Sequence, residues 1–148
     1  MIVACLDSSA RYKIAGAHDT SKELLEELSH DANDLVRRRV AENPNAPASC
    51  LEKLSADSCT EVRIAVAENS STPHWIIELL TQDENSDVRH SIAENGSLPQ
   101  RIIWTLTFDD NPYVAFRAHL TLQRMSGPAI CYQLRCKQMV DGNSAAAL

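Results

Sequence analysis

Apolar residues along this chain fall at helical spacing and then repeat as a block. Val36, Val40 and Ala41 stand at i, i+4 and i+5, a stripe that predicts a helix over roughly residues 34–42. Downstream, Leu51 with Leu54, Ile77 with Leu80, and Ile103 with Leu106 mark a second apolar pair at i and i+3. The segments DLVRRRVAENPNAP, EVRIAVAENSSTP and DVRHSIAENGSLP share one register. Val36, Val62 and Val88 are spaced by 26, as are Arg37, Arg63 and Arg89, Asn43, Asn69 and Asn95, and Pro47, Pro73 and Pro99. Asp31, Asp57, Asp83 and Asp109 keep the same interval. The chain is therefore an internal repeat before it is anything else.

Each copy predicts two short helices. Asn111-Pro112 gives an N-cap followed by proline at the first helical position, and Asn33 and Asn85 occupy the column of Asn111. The first helix is expected to stop at Asn43, Asn69 or Asn95, a residue type that tolerates a left-handed C-terminal conformation. The second is expected to open with Pro47, Pro73 or Pro99 as its first residue. Helices of about nine residues do not persist alone in water, so the copies must stack. The expected copies are 5–30, 31–56, 57–82 and 83–108, with a degenerate one at 109–125 in which Ala115 replaces the arginine and Thr121 the asparagine. Residues 113–125 predict a longer amphipathic helix, 128–140 a capping helix, and 141–148 a disordered tail. Residues 1–140 thus read as a single all-α domain.

The pattern Asp-x4-Val-Arg-x2-Val-Ala-Glu-Asn with its downstream proline and leucines resembles the leucine-rich repeat variant family of HEAT-like bacterial repeats, over roughly residues 5–125. The resemblance implies a right-handed α-solenoid of two-helix repeats, the second helix partly 3₁₀, in a bacterial protein. One architecture of that family places an iron–sulfur cysteine cluster ahead of the repeats. This chain has only Cys5 there, so that feature is not carried over.

Composition narrows the function. No apolar run approaches the length of a membrane span, and the N-terminal apolar run has no basic residue before it, which fails the pattern of a secretory signal. Five cysteines without an export signal read as reduced thiols in the cytoplasm. A net charge of −6 repels a phosphate backbone overall. The histidines fall in different repeat columns without helical metal spacing, and Cys131 and Cys136 form an isolated C-x4-C, so no metal and no cofactor are expected. No phosphate loop or nucleophile motif is present, and no enzymatic activity is expected.

Three sets of polar or aromatic residues remain. Asp31, Asp57 and Asp83 recur beside Arg37, Arg63 and Arg89, and adjacent copies lie roughly 10 Å apart. Arginine can then bridge an aspartate or a turn carbonyl of its neighbour, a structural ladder that includes the Asn43, Asn69 and Asn95 column; a phosphate-binding stripe is the alternative. Glu42, Glu68 and Glu94 sit where the helix dipole disfavours negative charge, and either pair with arginines, face water or meet a basic partner. On the second helices, His74, Trp75, Glu78 and Leu79 precede Gln100, Arg101, Trp104 and Thr105 one copy later. Trp75 shares the column of Arg101 and Trp104 that of Glu78, so both indoles belong on one patch across two adjacent helices. They either fill gaps between repeats or form a partner-binding surface with His74, Glu78 and Arg101. The favoured function is a non-catalytic scaffold or adaptor that binds another protein. The alternative is nucleic-acid binding, which requires Arg37, Arg38, Arg39, Arg63 and Lys53 to gather on one open face.

Overall fold

The structure, a computed structural model, describes residues 5–126. The expected capping helix at 128–140, the tail at 141–148, Cys131 and Cys136 lie outside the described residues. Within the described residues the protein is all-α and without strands. Its helices are α1 (Ser8–Ala15), α2 (Lys22–Leu28), α3 (Asp34–Ala41), α4 (Ala48–Leu54), α5 (Thr60–Glu68), α6 (His74–Leu80), α7 (Ser86–Glu94), α8 (Gln100–Leu106) and α9 (Pro112–Ser126).

Odd-numbered helices pack in succession, α1 on α3, α3 on α5, α5 on α7 and α7 on α9. The even-numbered helices flank them, α4 between α3 and α5, α6 between α5 and α7, α8 between α7 and α9. One hydrophobic core runs through all of them. From the odd helices it takes Val36, Val40 and Ala41 and their counterparts, such as Val62, Val66 and Ala67, all about fully buried. From the even helices it takes Leu51 and Leu54, Ile77 and Leu80, Ile103 and Leu106. A third even-helix column, Cys50, Ile76 and Ile102, is buried as well. It adds a third apolar residue beside i and i+3, which widens the buried stripe without changing its direction.

Three local expectations are corrected. Pro47, Pro73 and Pro99 are N-caps and not first helical residues, with ψ of 153°, 143° and 136°. The ring fixes φ near −65°, which serves an extended residue as well as a helical one. Each proline's carbonyl still opens the ladder, as in Leu51 N–H to Pro47 O at 3.2 Å. The even helices are α-helical over their assigned lengths, where the resemblance implies partly 3₁₀; the shorter i→i−3 bonds, such as Cys50 N–H to Pro47 O at 3.0 Å, fall in the first turn. An α-helix holds Cys50, Leu51 and Leu54 within about 100° of arc, facing one core. Lastly, Asn69 and Asn95 are not left-handed: their φ values are −72° and −78°. Their column is occupied by asparagine for its side chain, as described below.

The Asn33, Asn85 and Asn111 column does cap the odd helices. Asn33 Oδ1 accepts from Leu35 N–H at 2.9 Å, Asn85 Oδ1 from Asp87 N–H at 2.7 Å and Asn111 Oδ1 from Tyr113 N–H at 2.9 Å. Cys59 occupies that column ahead of α5 and makes no side-chain cap. The great length of α9 has a simple cause. Thr121 stands where the asparagine would turn the chain and Met125 where the proline would begin a new helix, so nothing stops it.

Candidate functional site

Arginine and aspartate link successive copies by the same geometry at every junction. Arg37 Nε donates to Asp57 Oδ2 at 2.7 Å and Nη2 to Asp57 Oδ1 at 2.9 Å. Arg63 grips Asp83 at 2.7 and 3.0 Å, and Arg89 grips Asp109 at 2.7 and 3.0 Å. Arg11 reaches Asp31 at 2.6 Å, so the first copy, residues 5–30, joins the series. The third donor, Nη1, meets a turn carbonyl of the arginine's own copy: Arg37 to Asp31 O at 2.9 Å, Arg63 to Asp57 O at 2.7 Å, Arg89 to Asp83 O at 2.6 Å. Each aspartate also accepts a backbone N–H two residues on, as Asp57 Oδ1 does from Cys59 at 2.9 Å. Every fork and every carboxylate is thus occupied by the protein itself.

The aspartates are nearly covered by protein, their side chains only 7%, 7% and 6% exposed at Asp57, Asp83 and Asp109. Burial pushes each carboxyl's pKa up, but the arginine fork and the backbone N–H together outweigh burial and hold it below the ordinary carboxylate value. The same hydrogen bonds raise the pKa of Arg37, Arg63 and Arg89. Two open grooves follow this ladder. One of about 450 Å³ is lined by Asp57, Arg63 and Asp83, another of about 290 Å³ by Asp83, Arg89 and Asp109. Their arginines already donate to aspartate, which leaves little positive charge for a phosphate.

A second ladder runs through the asparagines. Asn43 Nδ2 donates to Ala15 O at 2.8 Å and Ala17 O at 3.0 Å, and Asn69 Nδ2 to Ala41 O at 2.6 Å and Asn43 O at 2.9 Å. Their Oδ1 atoms accept from Asn45 N–H and Ser71 N–H at 2.9 and 2.8 Å. Carbonyls left over at the end of one odd helix are therefore satisfied by the next copy. Asn95 Oδ1 makes the equivalent turn bond, from Ser97 N–H at 3.0 Å.

The basic residues named for nucleic acid are committed elsewhere. Arg37 and Arg63 lie in the ladder. Arg38 and Arg39 both pair with Glu42 at 2.9 Å, and Lys53 Nζ donates to Ser29 O at 3.3 Å. Glu94 likewise pairs with Arg117 at 2.9 Å, while Glu68 faces solvent.

The even helices present a different surface. His74, Trp75, Glu78 and Leu79 on α6, and Gln100, Arg101, Trp104 and Thr105 on α8, are all exposed. Trp75 is 45% exposed and Trp104 38%. Arg101 Nη2 donates to Glu78 Oε1 at 2.8 Å, linking α8 to α6 on this face. Phe108, 69% exposed, packs edge-on against Trp104 with ring centroids 5.6 Å apart and planes at 72°. Leu79 adds a side chain 61% exposed. Phe108 was absent from the sequence-based site, although the signal existed: it shares the exposed column of His30, Ala56 and Gln82.

Among the described residues no three His, Cys, Asp or Glu side chains are placed to share a metal ion, and no helix is long and apolar enough to cross a membrane. Comparison with protein-family models, with curated proteins and with solved structures found no match.

Proposed function

We propose that the chain is a right-handed α-solenoid of leucine-rich repeat variant type that acts as a non-catalytic protein-binding module, a scaffold or adaptor. The observation that carries this reading is the exposed pair Trp75 and Trp104 on α6 and α8, two helices joined by the Arg101–Glu78 ion pair. Tryptophan and arginine are enriched among the residues that carry binding energy at protein interfaces, and contiguous exposed apolar patches on a folded surface mark contact sites. The succession of odd helices and the recurrence of both ladders at 26-residue intervals support the solenoid. The free thiols of Cys5, Cys50 and Cys59 fit a reducing compartment such as the bacterial cytoplasm.

The test is a pull-down from bacterial lysate with the wild-type chain beside Trp75→Ala/Trp104→Ala, both checked for helicity by circular dichroism. The reading expects a protein retained by the wild type and lost by the folded double variant. Identical retention by both would remove the tryptophan face from the binding surface.

A further inference from the structure

The exposed face of the even helices changes character from one end of the protein to the other. On α2 it consists of Lys22, Glu23, Glu26 and Glu27, all exposed. On α4 it continues with Ser49, Glu52 and Lys53. Ser49 Oγ donates to Glu26 Oε1 at 2.9 Å, tying the two helices together at this face. Four carboxylates here face two lysines, and Lys53 is drawn against the Ser29 carbonyl at 3.3 Å. At α6 and α8 the same columns carry Trp75, Leu79 and Trp104, and Glu78 is neutralised by Arg101 at 2.8 Å. The face is thus acidic at one end and aromatic at the other.

We propose that the partner of this face is a basic polypeptide segment with apolar anchors, its Lys and Arg residues over α2 and α4 and its anchors over α6 and α8. The proposal rests on the protein-binding reading above and specifies the chemistry of the partner. Three features of the chain select it. A carboxylate excess at the α2–α4 end attracts Lys and Arg and repels acidic segments. Indole faces at the other end take aliphatic or aromatic anchors, and also stack on the guanidinium and ammonium groups of a basic segment. The chain's net charge of −6 steers cationic partners towards it and opposes a second copy of itself. At a helix-to-helix spacing of roughly 10 Å, three steps would take a segment from α2 to α8. An extended segment of about nine residues, at about 3.3 Å each, spans that distance. The polarity of the face fixes the direction in which it lies.

The experiment is a selection of random short peptides displayed on phage against the immobilised full chain, counter-selected on Trp75→Ala/Trp104→Ala. Peptides retained only by the wild type are expected to be enriched several-fold in Lys and Arg over the starting library. Synthesised individually, they should bind Glu23→Gln/Glu26→Gln/Glu52→Gln about tenfold more weakly at low ionic strength, and the difference should shrink as salt is added. Both tryptophans of the chain lie on the face, so their emission reports binding directly. The three glutamates are exposed, and the variant's circular dichroism and urea midpoint are expected to match the wild type. Tryptophan-dependent peptides with no basic enrichment, or with affinity unchanged by the glutamine substitutions, overturn the basic-partner assignment and leave the protein-binding reading standing. A selection that yields no tryptophan-dependent peptide overturns both.

Discussion

Arg63 holds Asp83, twenty residues further on, through two hydrogen bonds of 2.7 and 3.0 Å, and both side chains are more than nine-tenths covered. Removing one partner of such a pair leaves a buried charge without compensation. Asp83→Asn is therefore expected to lower stability by about 3 kcal/mol, read as a shift of the urea midpoint. Glu78→Gln, which breaks the exposed ion pair to Arg101, is expected to change it by less than about 1 kcal/mol. Equal effects at the two sites would show that burial does not govern these pairs.

Acid should act through the same ladder. Asp57, Asp83 and Asp109 have folded-state pKa values below the ordinary carboxylate value, so the native state binds fewer protons than the unfolded one. Their contribution is complete above the unfolded pKa of about 3.9, and it is lost as pH falls through the folded values. Stability from this source is then flat from about pH 5 upward and declines below about pH 4. Urea midpoints measured across that range test it, and Asp83→Asn should show a shallower acid decline than the wild type.

The asparagine ladder predicts an order of effects. Asn69→Ala strands the carbonyls of Ala41 and Asn43 and the N–H of Ser71, at about 2 kcal/mol. Asn69→Asp keeps the acceptor for Ser71 but points a carboxylate at two carbonyl oxygens. It should destabilise more than alanine at neutral pH and recover in part on acidification. Thermal unfolding of the two variants at pH 7 and pH 5 decides the order.

Core and face residues of one helix should separate cleanly. Ile77→Ala, at a position 1% exposed, is expected to lose about 2–5 kcal/mol. Trp75→Ala, two residues earlier and 45% exposed, is expected to lose less than about 1 kcal/mol. Trp104→Ala should fall between them because its ring packs against Phe108. Chemical denaturation of the three variants provides the comparison.

Much of this architecture was legible because each repeated column does one job. Valine and alanine at i, i+4 and i+5 could only face a core, and aspartate and arginine recurring together could meet from copy to copy. The proline column was harder. Proline at an N-cap and proline at the first helical position share a φ near −65°, and only ψ separates them, which no residue type announces. The asparagines misled for a related reason: a left-handed cap and a side chain reaching the previous copy both favour asparagine. Deciding between them takes the position of Ala15 O and Ala41 O, which is a property of packing. On the even-helix face, Trp75, Arg101 and Trp104 were named from columns within the helices, whereas Phe108 lies just past the end of α8 and is found only by following its 26-residue column through His30, Ala56 and Gln82.

Uniform junctions also have a consequence for chain length. The joints draw on recurring columns, arginine to aspartate twenty residues ahead from Arg11 to Arg89, and asparagine to carbonyls 26 and 28 residues behind at Asn43 and Asn69. Excising residues 57–82 would bring Arg37 to Asp83 as it now meets Asp57, and Asn95 to Ala41 as Asn69 now does. Unequal recombination between copies can therefore shorten or lengthen the molecule by whole units while each splice inherits a finished interface. Reach becomes a heritable quantity that changes in fixed increments, independently of the side chains displayed on any one unit.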